Sequence, residues 1–261
     1  MNSEYWQKQE SGSPLFPDIL WEKPERRDLA GKLLIVGGSA GGIHDVAQAF
    51  EVAKESGIGE TRVLVPETLK KLTKHIDGIS FLPATATGNF SLKGSEELLL
   101  MASQVHGVLL PGNIGRNSET AMLLADLLRS YNGKLCVTKD AVDALYGEAT
   151  NLLKRPDTLL VVSFAQLQRL TREVKSPVAF RSDMDFLFFL EKLHDFSLKH
   201  PAMIITKHHD QILVAMDGRI ISTERKDLSE LWCVDVASRA MTFWIHHPKN
   251  PLGAMASSLI C

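Results

Sequence analysis

The feature that most constrains this chain is a repeated alternation of short apolar runs, several ended by glycine, with stretches whose apolar residues recur at helical spacing. Lys32 opens the run LLIVGG, the mark of a strand buried on both faces. Ile43, Val46, Ala47, Phe50 and Ala53 then follow at helical spacing, and Gly57 stands where such a helix would stop. The same grammar continues with strand signals at TRVLVPE (61–67), GVLLPG (107–112), KLCVT (134–138), TLLVVS (158–163) and AMIITK (202–207). Between them, LKKLTKHI (69–76), ETAMLLADLLRSY (119–131), DAVDALYGEATNLL (140–153), AQLQRLTREV (165–174) and MDFLFFLEKLHDFSLKH (184–200) read as helical. Such alternation predicts an α/β fold with a mostly parallel central sheet covered by helices on both faces, a three-layer α/β/α sandwich.

The grammar changes near the end. HHDQILVAMDGRIIST (208–223) holds two β-rich runs around Asp217-Gly218, a pair suited to a tight turn, so an antiparallel hairpin is expected. From Asp235 the pattern returns to helix in VASRAMTFWIHH and NPLGAMASSLI. Before Lys32, Pro14, Pro17 and Pro24 lie among charges, which predicts an N-terminal arm over residues 1–25 anchored by Trp6, Phe16 and Trp21, ahead of one domain over 26–261.

Composition narrows the function classes. The chain has 261 residues, 29 Lys+Arg against 31 Asp+Glu and 44% hydrophobic content, which excludes disorder, collagen and coiled coil. A formal charge of −2 supplies no global field toward nucleic acid or an anionic membrane. Neither a secretory leader nor a membrane-spanning apolar stretch is legible, so a cytoplasmic setting is expected, with Cys136, Cys233 and Cys261 as reduced thiols. His208-His209 and His246-His247 point their side chains in different directions on any regular element, and no metal site is expected. There is no GxSxG elbow, and DFLFFLEKLHDF (185–196) reads as core.

Two glycine-rich turns carry the ligand chemistry. GGSAGG (37–42) follows a buried strand and opens a helix, where backbone N–H groups and the helix dipole can hold an anion, although neither GxGxxG nor GK[ST] is present. PGNIGR (111–116) also follows a strand and adds Asn113 and Arg116 as donors. Two such turns at the carboxyl ends of neighbouring parallel strands would line one crevice, the usual ligand position in open α/β sheets.

Together these segments resemble the ADP/ATP-dependent NAD(P)H-hydrate dehydratases of the ribokinase-like superfamily, from about Arg26 to the last residues. GKLLIVGGSAGG with TRVLVPE looks like that family's opening strand, glycine turn and second strand. GVLLPGNIGRNSETAMLLADLL looks like its GPGLGR segment and following helix, with one residue more in the turn. KLCVTKDAVDAL is similar to its LVLDADALNLL, and IITKHHDQILVAMDGR to its lysine-glycine strand and DGR hairpin. The resemblance implies a ribokinase-like fold, a homo-oligomer, and repair of hydrated NADH or NADPH by phosphorylation and elimination with ADP or ATP and Mg2+. It also implies that Asp235 would be the base toward the substrate hydroxyl. Lys207, Cys233 and Val234 would meet the nucleotide, and Gly38, Ser39, Asp45, Gly112, Asn113, Gly115 and Ser163 would border the substrate.

The chain departs from the family at the phosphate side. Where the family carries a GSGD or GTGD turn, this sequence has Trp232, Cys233, Val234 and Asp235, and bulky or β-branched residues resist the close approach of a phosphate that glycine allows. The family's HPGE falls on Ser163, Phe164, Ala165 and Gln166, and the first acid of DADAL falls on Thr138, leaving Asp140. Three readings follow: a diverged hydrate dehydratase, an inactive relative serving as ligand binder or oligomeric scaffold, and a small-molecule kinase of the same superfamily, which would need the same glycines.

Overall fold

Strand side chains alternate between the two faces of a sheet, so continuous apolar runs can only be buried if both faces are covered. Leu33 and Ile35 enter one core while Leu34 and Val36 enter another, and Leu159/Val161 against Leu160/Val162 divide in the same way. A computed structural model describes residues 4–10, 12–22, 24–73, 78–225 and 232–260. In chain order its elements begin with β1 (Trp6–Gln9), α1 (Pro17–Trp21), β2 (Lys32–Val36), α2 (His44–Glu55), β3 (Glu60–Pro66), β4 (Ile79–Leu82) and α3 (Ser95–Ser103). There follow β5 (Gly107–Leu110), α4 (Ser118–Ser130), β6 (Lys134–Thr138), α5 (Asp140–Ala144), α6 (Ala149–Lys154), β7 (Thr158–Val162), α7 (Phe164–Glu173) and α8 (Phe186–Ser197). The chain closes with β8 (Met203–His208), β9 (Gln211–Met216), β10 (Arg219–Glu224), α9 (Trp232–His246) and α10 (Pro251–Ser258).

The ten strands form one sheet in the order β1-β10-β9-β8-β7-β6-β5-β2-β3-β4. Only β9 runs antiparallel to its neighbours, in the hairpin expected around Asp217-Gly218. The apolar residues of α2, α9 and α10 pack on one face and those of α3 to α8 on the other. This division follows from the right-handed crossover rule: α2 carries the chain outward from β2 to β3, whereas α4 carries it the opposite way from β5 to β6. The strand order therefore reverses between β2 and β5, the point at which open α/β sheets form a ligand crevice at the strands' carboxyl ends.

Several expectations are revised. The N-terminal segment does more than lie on the surface, because β1 adds a parallel edge strand through the register Trp6↔Ile220 to Gln9↔Thr223. Fully buried Gln9 ties it down by donating to the Ala256 carbonyl at 2.8 Å and the Thr223 hydroxyl at 3.2 Å. Trp6 donates to Ser222 at 3.0 Å, but Trp21 is 85% exposed, so the expected anchor is not packed among the described residues. The helix expected over 69–76 is a short 3-10 helix, Glu67–Lys71, and residues 74–76 of that expectation lie outside the described residues. The last long helix starts at Trp232, three residues before Asp235. The sequence reading passed over β4 and α3; α3 packs Leu98 and Ala102 into the core at i, i+4 spacing. No helix of the described residues is long and apolar enough to cross a membrane.

Candidate ligand-binding site

The crevice at the strand-order reversal is built by the two glycine turns. After β2, Gly37 donates to the Leu64 carbonyl at 3.2 Å and Gly38 to the Gly112 carbonyl at 3.5 Å, so the turn of residues 37–42 is held against the one after β5. Ser39 is nearly buried and pairs through its backbone with Gly42, while its hydroxyl accepts from the Gly41 amide at 3.2 Å. Asn113 reaches across to accept from the Asp45 amide at 2.7 Å, taking up one of the free donors in the first turn of α2. Gly38, Gly112, Asn113 and Gly115 all have positive φ, a clustering of uncommon backbone conformations of the kind found at ligand sites. Gly112 is required for space as well: a Cβ there would lie 2.7 Å from Asp45 Oδ2 and 2.9 Å from Asp140 Oδ1.

The floor of the crevice is charged. Asp45 is 1% exposed, and the Lys139 ammonium stands 2.8 Å from its Oδ1, with a hydrogen bond, and 2.7 Å from its Oδ2. Lys139 sits at φ 51°, ψ −137°, between β6 and α5, where glycine is strongly favoured, so the chain carries local strain of about 1–3 kcal/mol to keep a lysine there. Its carbonyl accepts from Gln166 Nε2 at 2.7 Å. Asp140 accepts from the Gly115 amide at 3.2 Å through Oδ2, while its Oδ1 is buried without a hydrogen-bond partner among the described residues. Burial first, and then the neighbouring Asp45 carboxylate, holds the Asp140 carboxyl above its ordinary range.

On the other side of the crevice stands the start of α9. Val234 is fully buried and Cys233 nearly so, both in the core on the α2 face of the sheet, with Trp232 packed against it. Burial pushes the Cys233 thiol up to about 12, opposed by a hydrogen bond with Thr138 and by the nearby Lys139 ammonium. This set of neighbours places the first turn of α9 over the carboxyl end of β6. Asp235 is half-buried and accepts from Gln48 Nε2 of α2 at 2.7 Å.

The remaining residues expected at the site divide in two groups. Ser163 follows β7 and is engaged in a capping box with Gln166 at the start of α7, so its hydroxyl already serves the helix. Lys207 lies half-buried near the end of β8, opposite Ile212. The structure brings Gly38, Ser39, Asp45, Gly112, Asn113 and Gly115 into one cluster, with Cys233 and Asp235 at its side through Lys139, Thr138 and Gln48. Gln48, Lys139 and Gln166 were not read from the sequence as site residues. Nor was the segment 84–90, whose Gly88 carbonyl accepts from the Ala40 amide at 2.9 Å and whose Asn89 side chain would collide with a Cβ at Gly115. Their only sequence signal is position, each lying within a few residues of a strand's carboxyl end or at the helix face beside it. Among the described residues no group of three or more His, Cys, Asp or Glu side chains converges as a metal cluster.

No protein-family model matches the chain, and no curated protein matches it in sequence. Solved structures do. A ribokinase-like superfamily protein from Enterococcus faecalis V583 superposes with a TM-score of 0.72 at 14% identity, over 100% of this chain and 87% of that one. The ADP/ATP-dependent NAD(P)H-hydrate dehydratase from Bacillus subtilis, co-crystallised with ATP/Mg2+ and soaked with CoA, gives 0.63 at 13% identity, over 94% and 86%. The pyridoxal kinase from Staphylococcus aureus, in complex with AMP-PCP and pyridoxal, gives 0.56 at 14% identity, over 87% and 84%. The chain thus has the ribokinase-like α/β fold that these proteins share.

Proposed function

We propose that this protein is a diverged relative of the NAD(P)H-hydrate dehydratases that binds a nucleotide-class ligand in the crevice between the turns 37–42 and 111–116. The observation that carries this reading is the interlocked pair of glycine turns at the strand-order reversal, with positive φ at Gly38, Gly112, Asn113 and Gly115. If the protein turns over, Asp235 is the base toward the substrate hydroxyl and Lys207 contacts the nucleotide. In that case the start of α9 lies beside the transferred phosphoryl and offers it the positive end of the helix dipole. Mg2+ would be held largely by phosphate oxygens, which need only one or two carboxylates from the protein. Asp235, in the first turn of α9, is the acidic residue on that edge that would help hold it, and the chemistry Mg2+ supplies is charge neutralisation on the phosphates.

A second reading, an inactive ligand binder, is favoured by a separate observation: the start of α9 is made of buried Cys233 and Val234 instead of small residues. Incubation of the purified protein with hydrated NADH and either ADP or ATP, with Mg2+, separates the two. Recovery of NADH absorbance that Asp235→Asn abolishes supports the enzyme. Absence of turnover with ligand-induced thermal stabilisation by ADP, ATP or NADPH supports the binder. Neither turnover nor stabilisation would sink both.

A further inference from the structure

The Lys139 side chain is anomalous in three respects. It occupies a backbone conformation that favours glycine, it extends toward α2 instead of solvent, and it forms an ion pair with a carboxylate that is 2% exposed while remaining 32% exposed itself. Its ammonium thus meets Asp45 while about a third of the side chain stays accessible. A lysine ammonium carries three donors, and Asp45 takes a hydrogen bond through Oδ1 alone. The same group is close enough to the start of α9 to act on the Cys233 thiol. The first turns of α2 and α9, with Asp45 and Cys233, and the turn containing Gly112 thus meet around one side chain.

We infer that Lys139 is the anion-contacting residue of the crevice, binding a phosphate group of the ligand in competition with Asp45; this rests on the nucleotide-class reading given above. The chemistry is a charge-assisted hydrogen bond to a phosphate oxygen, a contact that lysine makes as a compact point charge. The start of α9, filled by Cys233 and Val234, leaves little room for close backbone approach to phosphate, and a side-chain cation beside it supplies positive charge by another route. Asp45 then acts as an internal counter-ion. It keeps the ammonium neutralised while the crevice holds no anion, and it lowers affinity because the ligand must draw Lys139 away from it.

That competition gives the inference a distinctive test. Calorimetric titration with ADP and, separately, with NADPH is carried out on the wild type, on Asp45→Asn and on the double variant Asp45→Asn/Lys139→Gly. The double variant lacks the buried charge and has glycine where the backbone favours it, so it is expected to fold. The expected order is Asp45→Asn at least as tight as wild type, with the double variant weaker than Asp45→Asn by roughly tenfold or more for the ligand that Lys139 contacts. Comparison of the two titrations tells an adenine diphosphate from a dinucleotide pyrophosphate as the source of the anion.

Equal affinities of Asp45→Asn and the double variant would overturn the role of Lys139 while leaving the nucleotide reading intact. So would an Asp45→Asn variant that binds as weakly as the double one. A wild type that binds neither compound overturns the nucleotide reading and this role with it. Reductive methylation of the wild-type protein, mapped by peptide mass, gives an independent readout: Lys139 should be protected by the bound ligand, and an unchanged methylation rate overturns the inference.

Discussion

The two walls of the crevice are built on opposite principles. The wall formed by the turns after β2 and β5 is polar and strained, with positive φ at Gly112, Asn113, Gly115 and nearby Lys139 and with buried charge at Asp45. The wall formed by the start of α9 is apolar and relaxed, with Cys233 and Val234 in the core. Strain and buried charge reduce stability and persist only where the surroundings over-determine them, so they mark the wall that is organised around something other than packing. An apolar helix start has the reverse signature, since packing alone accounts for it. The polar wall is the one against which the proposed ligand would rest, and the α9 wall has been absorbed into the core.

The sharpest way to break this comparison is Gly112→Ala. A Cβ at φ 122° would press on both carboxylates, and we expect a loss of about 3 kcal/mol in denaturant unfolding, together with lost nucleotide binding. Gly147→Ala, whose Cβ would meet nothing within 4 Å, is the control and should stay within about 0.5 kcal/mol of wild type. A Gly112→Ala protein as stable as that control would remove the argument for an organised polar wall.

A smaller effect is expected at the apolar wall. Val234→Ala leaves a cavity in a fully buried position and should cost about 2 kcal/mol, with nucleotide affinity unchanged once the folded fraction is accounted for. A large affinity change without a stability change would show that the α9 start is a binding element after all.

The smallest effect is a pH slope on a third region, the end of β8. His208 is stacked on Phe189 with ring centroids 4.6 Å apart and lies against His209, with its Nδ1 buried and unpartnered among the described residues. Burial first, and then the neighbouring His209, pulls its pKa below 6.5, against the opposing influence of the Met184 backbone and Asp185. At neutral pH the imidazole is thus held in its neutral form, and its contribution to stability, complete above 6.5, is lost as pH falls through the lowered folded-state value. His208→Phe should flatten the acid side of a melting-temperature profile measured between neutral and mildly acidic pH. Asp140 carries the opposite sign: its raised pKa means that its stabilising contribution is full below 3.8 and fades as pH rises.

Much of the architecture was legible because it depends on periodicity. The strand expected over KLCVT (134–138) is β6 over the same residues, and the run LLIVGG holds all of β2 but its first residue. The hairpin at Asp217-Gly218 followed from turn chemistry. Elements with weaker patterns were missed. β4 is four residues long and only partly buried, and β1 is an edge strand whose burial alternates poorly. The candidate site was legible only as two loops, because glycine announces backbone freedom locally. Lys139 escaped notice because an ion pair to a residue 94 positions earlier has no local signature.

By itself, then, the order of residues determined the layering, the parallel sheet, and the place of the glycine turns at strand ends, since each depends on contacts between near neighbours and on apolar periods. The tertiary structure alone decided that Asp45, Asp140, Lys139 and Cys233 would share one crevice. Those meetings depend on strand order and on the α9 packing, which bring distant polar groups together where partial burial weakens the screening by water.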